Sequence, residues 1–226
     1  MSLQKSRVLQ TYQIFTKDGH FAGHIESLLF DETFYYIQYM AVDTSDWVPG
    51  RIQLISPEAV HKISSQEKRI NLGITRKKIE TGPDVYAHLP VSSQAQMEIV
   101  SHYGWPMQRL GNFVPLPGVT SPSRIPMENG SQPPQADREN HENFPLRSTE
   151  EVIGYHVYNR TDKIGILDDF LVETDDWRLN YFILKEGNFL HTDHLQISCQ
   201  WIKKIDWENS EVLIDLATNV IRNAET

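Results

Sequence analysis

One internal match constrains this chain more than any other feature. When the sequence is slid on itself by 142 positions, Gly23 falls on Gly165, Leu29 on Leu171, Tyr39 on Tyr181, Ile55 on Ile197 and Ser56 on Ser198. Lys62-Ile63 meets Lys204-Ile205 in the same register, and the apolar class persists between identities: Ile25 with Leu167, Ile37 with Leu179, Val60 with Ile202. With one residue of slack upstream, Tyr12-Gln-Ile14-Phe15 also meets Tyr155-His-Val157-Tyr158. A single offset sustained with matched hydrophobicity marks a duplication, so any fold must be built twice.

Each copy reads as strands. Tyr12–Thr16 precedes a Lys17-Asp18-Gly19 turn, Ala22–Phe30 and Tyr35–Val42 flank a polar turn at 31–33, and Val60–Ser64 and Arg69–Ile74 follow. Gly165–Glu173, Thr174-Asp175-Asp176 and Trp177–Lys185 repeat the hairpin, and Glu211–Leu216 repeats the last strand. β-rich runs joined by short polar turns predict hairpins. Five or six short strands in each copy predict a mainly β protein of two small closed barrels, because closure removes exposed sheet edges.

Between the copies, residues 111–147 hold Pro115, Pro117, Pro122, Pro126, Pro133, Pro134 and Pro145 among Gly, Ser, Asn and charges. Such a stretch buries too little apolar surface to offset its ordering entropy and reads as a linker. Just before it, Ser92 or Ser93 can cap a helix, Met97, Val100 and Tyr103 follow at helical spacing, and Gly104 suits the end. The expected organisation is a first barrel over 8–80, a helical extension over 81–110, a linker over 111–147 and a second barrel over 148–222.

The 226 residues carry a formal charge of −9, which argues against a nucleic-acid or anionic-membrane surface. The charge is uneven: residues 1–110 hold 11 Lys+Arg against 11 Asp+Glu, whereas residues 148–226 hold 7 against 15. Cys199 is the only cysteine, so no intrachain disulfide can form. The start, MSLQKSRVLQTYQIF, lacks the apolar core of a signal peptide, and no apolar run approaches the roughly 20 residues of a membrane span. A cytoplasmic location is expected.

Candidate chemical groups have simpler readings. His191, Asp193 and His194 could hold zinc or nickel, but three-residue spacing in an extended chain turns the two imidazoles to opposite faces, so a loop is expected there. Asp168, Asp169, Glu173, Asp175 and Asp176 lack calcium-loop spacing and read as a solvated face and turn. Cys199 lacks an assured partner base and reads as a small, partly buried residue. Trp47, Trp105, Trp177, Trp201 and Trp207 could form a recognition surface, with Trp105 expected to pin the helix to a barrel. Arg76-Lys77-Lys78 reads as a solvated helix start. No phosphate-binding glycine loop, G-x-S-x-G elbow, HExxH or paired CxxC is present.

The second copy resembles a PRC-barrel domain through Ile153-Gly154-Tyr155-His-Val157, Gly165, Asp168-Asp169-Phe170-Leu171-Val172, Leu179-Asn-Tyr181-Phe-Ile183 and Ile205-Asp206-Trp207-Glu208…Val212-Leu-Ile214-Asp215-Leu216. The first matches through Gly23-His-Ile25, Tyr36-Ile37-Gln-Tyr39-Met-Ala-Val42-Asp43 and Leu54-Ile55-Ser56-Pro57, and its continuation is similar to stand-alone two-copy bacterial members. The resemblance implies the barrel fold, shared with the photosynthetic reaction-centre H subunit and a ribosome maturation factor. It implies no catalytic residues and no cofactor. The expectation is a non-enzymatic binding or assembly protein that self-associates or engages a protein partner. Metal or small-ligand binding at 191–194, and an RNA or ribosome-assembly role, are the alternatives; nucleic acid is not the expected partner.

Overall fold

The computed structural model describes residues 2–47, 51–83, 93–105, 146–160, 162–188 and 191–216. In the first half, β2 (Gln13–Phe15), β3 (Phe21–Asp31), β4 (Ile37–Asp43), β5 (Ile52–Ile55), β6 (Val60–Ser64) and β7 (Arg69–Leu72) form a sheet ordered β5-β4-β3-β2-β7-β6. In the second, β9 (His156–Asn159), β10 (Asp162–Glu173), β11 (Arg178–Asn188), β12 (His191–Ser198), β13 (Ile202–Asp206) and β14 (Glu211–Ile214) repeat that order as β12-β11-β10-β9-β14-β13. Both contain one parallel pair, β2 with β7 and β9 with β14. Tyr39 pairs with Leu29 and Tyr181 with Leu171, so the two tyrosines hold the same place. Even the irregularities are copied: register shifts fall at Ile25/Ser27 and Leu29/Phe30, and again at Leu167/Asp169 and Leu171/Val172.

The shared glycine of each copy has a steric cause. Gly23 has φ +135, and a Cβ there would lie 1.9 Å from the Asp43 carbonyl oxygen. At Gly165 a Cβ would lie 2.5 Å from the carbonyl oxygen of Lys185, the counterpart of Asp43. Neighbouring backbone therefore leaves room only for hydrogen at both positions.

Mainly β architecture in two β-rich halves agrees with the sequence reading. Among the described residues no ladder joins the ends of either strand path. The chain instead turns the corner through a 3-10 turn, Pro57–Ala59 in the first half and Cys199–Trp201 in the second. The buried residues of the two halves are continuous. One buried cluster runs through both, with Phe30 and Phe170 meeting at 5.8 Å between ring centroids.

The halves are interlocked by exchanged strands. Strand β1 (Leu3–Lys5) leaves the first half and pairs antiparallel with β10 of the second, Leu3 opposite Glu173 and Lys5 opposite Leu171. Strand β8 (Leu146–Ser148) does the reverse, with Leu146 opposite Asp31 and Ser148 opposite Leu29 on β3. The expected linker lies outside the described residues except for its last two, Leu146 and Arg147, which begin β8. Short helices follow each exchanged strand: α1 (Ser6–Gln10) buries Leu9 and α4 (Thr149–Val152) buries Val152. Helix α2 (Arg76–Glu80) is capped by the Thr75 hydroxyl, which accepts from the Lys78 N–H.

Helix α3 (Ser93–Tyr103) ends at Gly104, whose φ of +75 is the left-handed conformation glycine permits. Its contact face differs from expectation. Met97 is exposed, whereas Gln96, Ile99 and Val100 are buried and Tyr103 packs with them against the sheet. The i, i+3, i+4, i+7 series starting at Gln96 keeps one face, and a strict three-residue step from Met97 drifts off it. Trp105 stacks on Tyr103 at 4.1 Å and fastens the helix end as anticipated.

Candidate functional site

The acidic cluster is not the uniformly solvated face expected of it. Asp169 and Glu173 are buried, because both receive the exchanged N-terminal segment. Asp169 Oδ1 accepts from the Ser6 hydroxyl at 2.5 Å, from the Arg7 N–H at 3.4 Å and from the Phe170 N–H at 2.8 Å. Helix α1 has no capping side chain of its own at Lys5, so this carboxylate from the other half serves its first turn. Glu173 Oε1 accepts from the Ser2 N–H at 2.8 Å. Asp175 and Asp176 remain exposed in the turn.

The 191–194 segment is not a loop. It begins strand β12, with His191 opposite Asn188, Asp193 opposite Glu186 and His194 opposite Lys185. The β11–β12 ladder continues without a register shift from Tyr181 opposite Ser198 to Asn188 opposite His191, so the hairpin runs past the point where its polar composition suggested an end. His194 Nε2 lies 3.6 Å from Asp168 Oδ2, and Arg7 Nη1 lies 3.7 Å from Asp168 Oδ1. Among the described residues no three His, Cys, Asp or Glu side chains converge as a metal site would require. Cys199 is fully buried rather than partly so, and burial pushes its thiol far above the ordinary cysteine range.

The tryptophans divide between packing and exposure. Trp47 Nε1 donates to the Ala22 carbonyl at 3.0 Å beneath the guanidinium of Arg76, which lies 4.4 Å from its ring. Trp177 is buried on the junction between halves, and Trp201 is exposed. Trp207 Nε1 reaches across to donate to Glu32 Oε2 at 3.0 Å, while Arg147 stacks 4.1 Å above the same indole. Burial of Glu32 raises its carboxyl above the ordinary glutamate range, outweighing the opposing pull of Trp207 and Arg147.

Two open clefts lie where the hairpin tip of one half meets the 3-10 turn of the other. One, of about 440 Å³, is lined by Pro57, Glu58, Val60 and His61 together with Thr174, Asp175 and Trp177. The second, of about 560 Å³, has Cys199, Gln200, Ile202 and Lys203 with Glu32, Thr33 and Tyr35 at the equivalent positions. The clefts are lined from equivalent positions of the repeat but not by the same polar groups, so neither constitutes a repeated chemical site.

The outer sheet faces differ more. On the first half α3 covers Leu29, Tyr39, Leu54 and Leu146, leaving Tyr39 3% exposed. The corresponding positions on the second half are Leu171, Tyr181, Gln196 and Leu3, and here Tyr181 is 38% and Leu3 43% exposed. Ile166, facing outward opposite Lys185, adds a third exposed apolar side chain to this face. Sequence reasoning missed this surface. Its signal was the alternation of Tyr181, Ile183 and Lys185 against buried Phe182 and Leu184, which places apolar groups on both sides of the strand.

Among the described residues no helix is long and apolar enough to cross a membrane. No curated protein matches the chain. The family match covers the second half alone, and kinship of the first half rests on the shared strand order, bulges and glycine described above. Residues 147–223 match the PRC-barrel domain family.

Proposed function

We propose that this protein is a non-enzymatic binding or assembly module, a fused pseudo-dimer that holds one covered and one open sheet face in fixed relation. The observation carrying this reading is the open face itself. Leu3, Ile166 and Tyr181 remain exposed on the second half while the equivalent surface of the first is sealed by α3. Exposed apolar groups gathered on one rigid sheet face are what a docking surface offers. The interlocked core supplies the rigidity, since neither half can move without breaking strands lent to the other.

Light scattering after size exclusion, followed by affinity capture with the full chain and cross-link mapping, tests the reading. A partner or second copy cross-linked to a defined surface supports it; a strict monomer capturing nothing removes it. A rival small-ligand or metal function would draw on the His194–Asp168 pair. Thermal shift with zinc, nickel and calcium separates the two readings.

A further inference from the structure

Repetition provides an internal template for what the open face accepts. On the first half an amphipathic helix lies across the outer face, and that helix, Ser93–Tyr103, carries Glu98 and no Lys or Arg. On the second half buried Leu171, opposite exposed Tyr181, and buried Ile183, opposite the Asp169 carboxylate that is already engaged by Ser6, form the floor beside exposed Leu3. The floor is continuous with the interface between halves, because Leu3 and Leu171 belong to the β1–β10 ladder.

The rim of this face has changed sign. Exposed Lys5 and Lys185 stand where the first half has Ser148 and Asp43, and neither lysine forms a salt bridge with a described residue. Two copies packed face to face would bring two lysine-bearing rims together, which disfavours self-association through this surface. A ligand with carboxylates along its edges would meet them favourably.

We propose that the outer face of the second half docks an amphipathic helix from a partner protein, laid as α3 lies on the first half, with acidic residues flanking its apolar stripe. This rests on the binding-module reading and specifies its partner. The apolar stripe seats on Leu171 and Ile183 beside Tyr181, and the flanking carboxylates pair with Lys5 and Lys185.

The test uses the full chain, isotope-labelled for NMR, and a synthetic 18-residue helical peptide with leucines at a, d and e positions and glutamates beside them. Saturable shifts at Leu171, Tyr181 and Ile183 are expected, weakened about tenfold or more by Tyr181→Lys or Leu3→Glu. Replacing the peptide's glutamates by lysine, or Lys5 and Lys185 by glutamate, is expected to weaken binding about tenfold. Unchanged melting temperatures would show that the variants fold. Absence of saturable shifts at about millimolar peptide, or shifts confined to another surface, would overturn the proposal. So would a concentration-dependent dimer that buries Tyr181. A partner captured equally by wild type and Tyr181→Lys sinks the docking face but leaves the binding-module reading; capture by neither, from a chain that is also strictly monomeric, removes that reading too.

Discussion

Tyr36 and Arg178 stand 142 positions apart in the chain and face one another across an antiparallel bridge between the two halves. Each is the other's counterpart under the repeat, so the bridge sits on a pseudo-two-fold axis. Beside it the Ile37 N–H donates to the Trp177 carbonyl at 2.8 Å, and the Leu179 N–H donates to the Tyr35 carbonyl at 2.7 Å. Tyr35 and Trp177 adopt φ values of 59 and 58, an unfavourable region for aromatic residues. That conformation turns their carbonyls toward the opposite half. Residues meeting their own copies are the mark of an isologous interface, here enclosed within one polypeptide.

Residues 146–226 produced alone are expected to form a two-fold dimer. Leu146-Arg147-Ser148 of one copy would take the place that Leu3-Gln4-Lys5 holds on β10, and the Thr149 hydroxyl would reach Asp169 as Ser6 does. Light scattering would report twice the chain mass. A stable, folded monomer would count against the inferred symmetry.

Asp169→Ala should destabilise the protein by about 2–4 kcal/mol, since it strands the Ser6 hydroxyl and two backbone N–H donors in a buried setting. Asp169→Asn retains an acceptor and should cost less. Urea unfolding of the pair checks the order; equal losses would mean that packing rather than acceptor capacity matters there.

Gly23→Ala should cost about 3 kcal/mol or more, because its methyl group would collide with the Asp43 backbone. Gly19→Ala, at φ +80 with nothing within 4 Å, should lose only about 1–2 kcal/mol from backbone strain. Comparison of denaturation midpoints for the two variants decides whether crowding is the cause.

Tyr39→Ala and Tyr181→Ala alter equivalent positions under unequal cover. Loss at Tyr39 should be about 3–5 kcal/mol, the scale for emptying an aromatic site in a core. At Tyr181, with its ring partly in solvent, about 1 kcal/mol or less is expected. Similar losses would show that α3 contributes little to the burial energy of the first face.

The raised carboxyl of Glu32 fixes the sign of a pH effect. Its folded state favours the proton, so its contribution to stability is fullest at low pH and declines as pH rises from the ordinary glutamate range through the raised folded value. Glu32→Gln keeps an acceptor for Trp207 and removes the ionisation. Relative to wild type it should gain stability at about pH 8 and show no gain at about pH 3. Unfolding curves at the two pH values would test this; a gain confined to acid would reverse the assignment.

Legibility of the chain followed the kind of physics each feature depends on. Gly23/Gly165 and Tyr39/Tyr181 were visible because local backbone and packing demands had been copied with the sequence. The exchange of β1 and β8 was not, since Leu3–Lys5 and Leu146–Ser148 pair as well with either sheet as far as pattern goes; only three-dimensional reach selects the opposite one. Asp169 and Glu173 looked solvated because charge predicts exposure unless a donor is brought from elsewhere, and Ser6 and Ser2, which supply those donors, lie more than 160 residues away. The open face of the second half was hidden for a related reason. Tyr181 reads like Tyr39, and what separates them is the presence of α3 over the latter.

Strand β8 also sets an order of events during synthesis. The edge of β3 that Leu146–Ser148 occupies has no tenant until the ribosome has passed the whole first half and the proline-rich stretch. Until then the nascent N-terminal sheet carries an unsatisfied flank, and β1 awaits a β10 not yet made. Completion of the first sheet is therefore postponed until Leu146–Ser148 has emerged, and that of the second until β14 has been made, and the interval before each is when the chain is most open to wrong pairings with its neighbours.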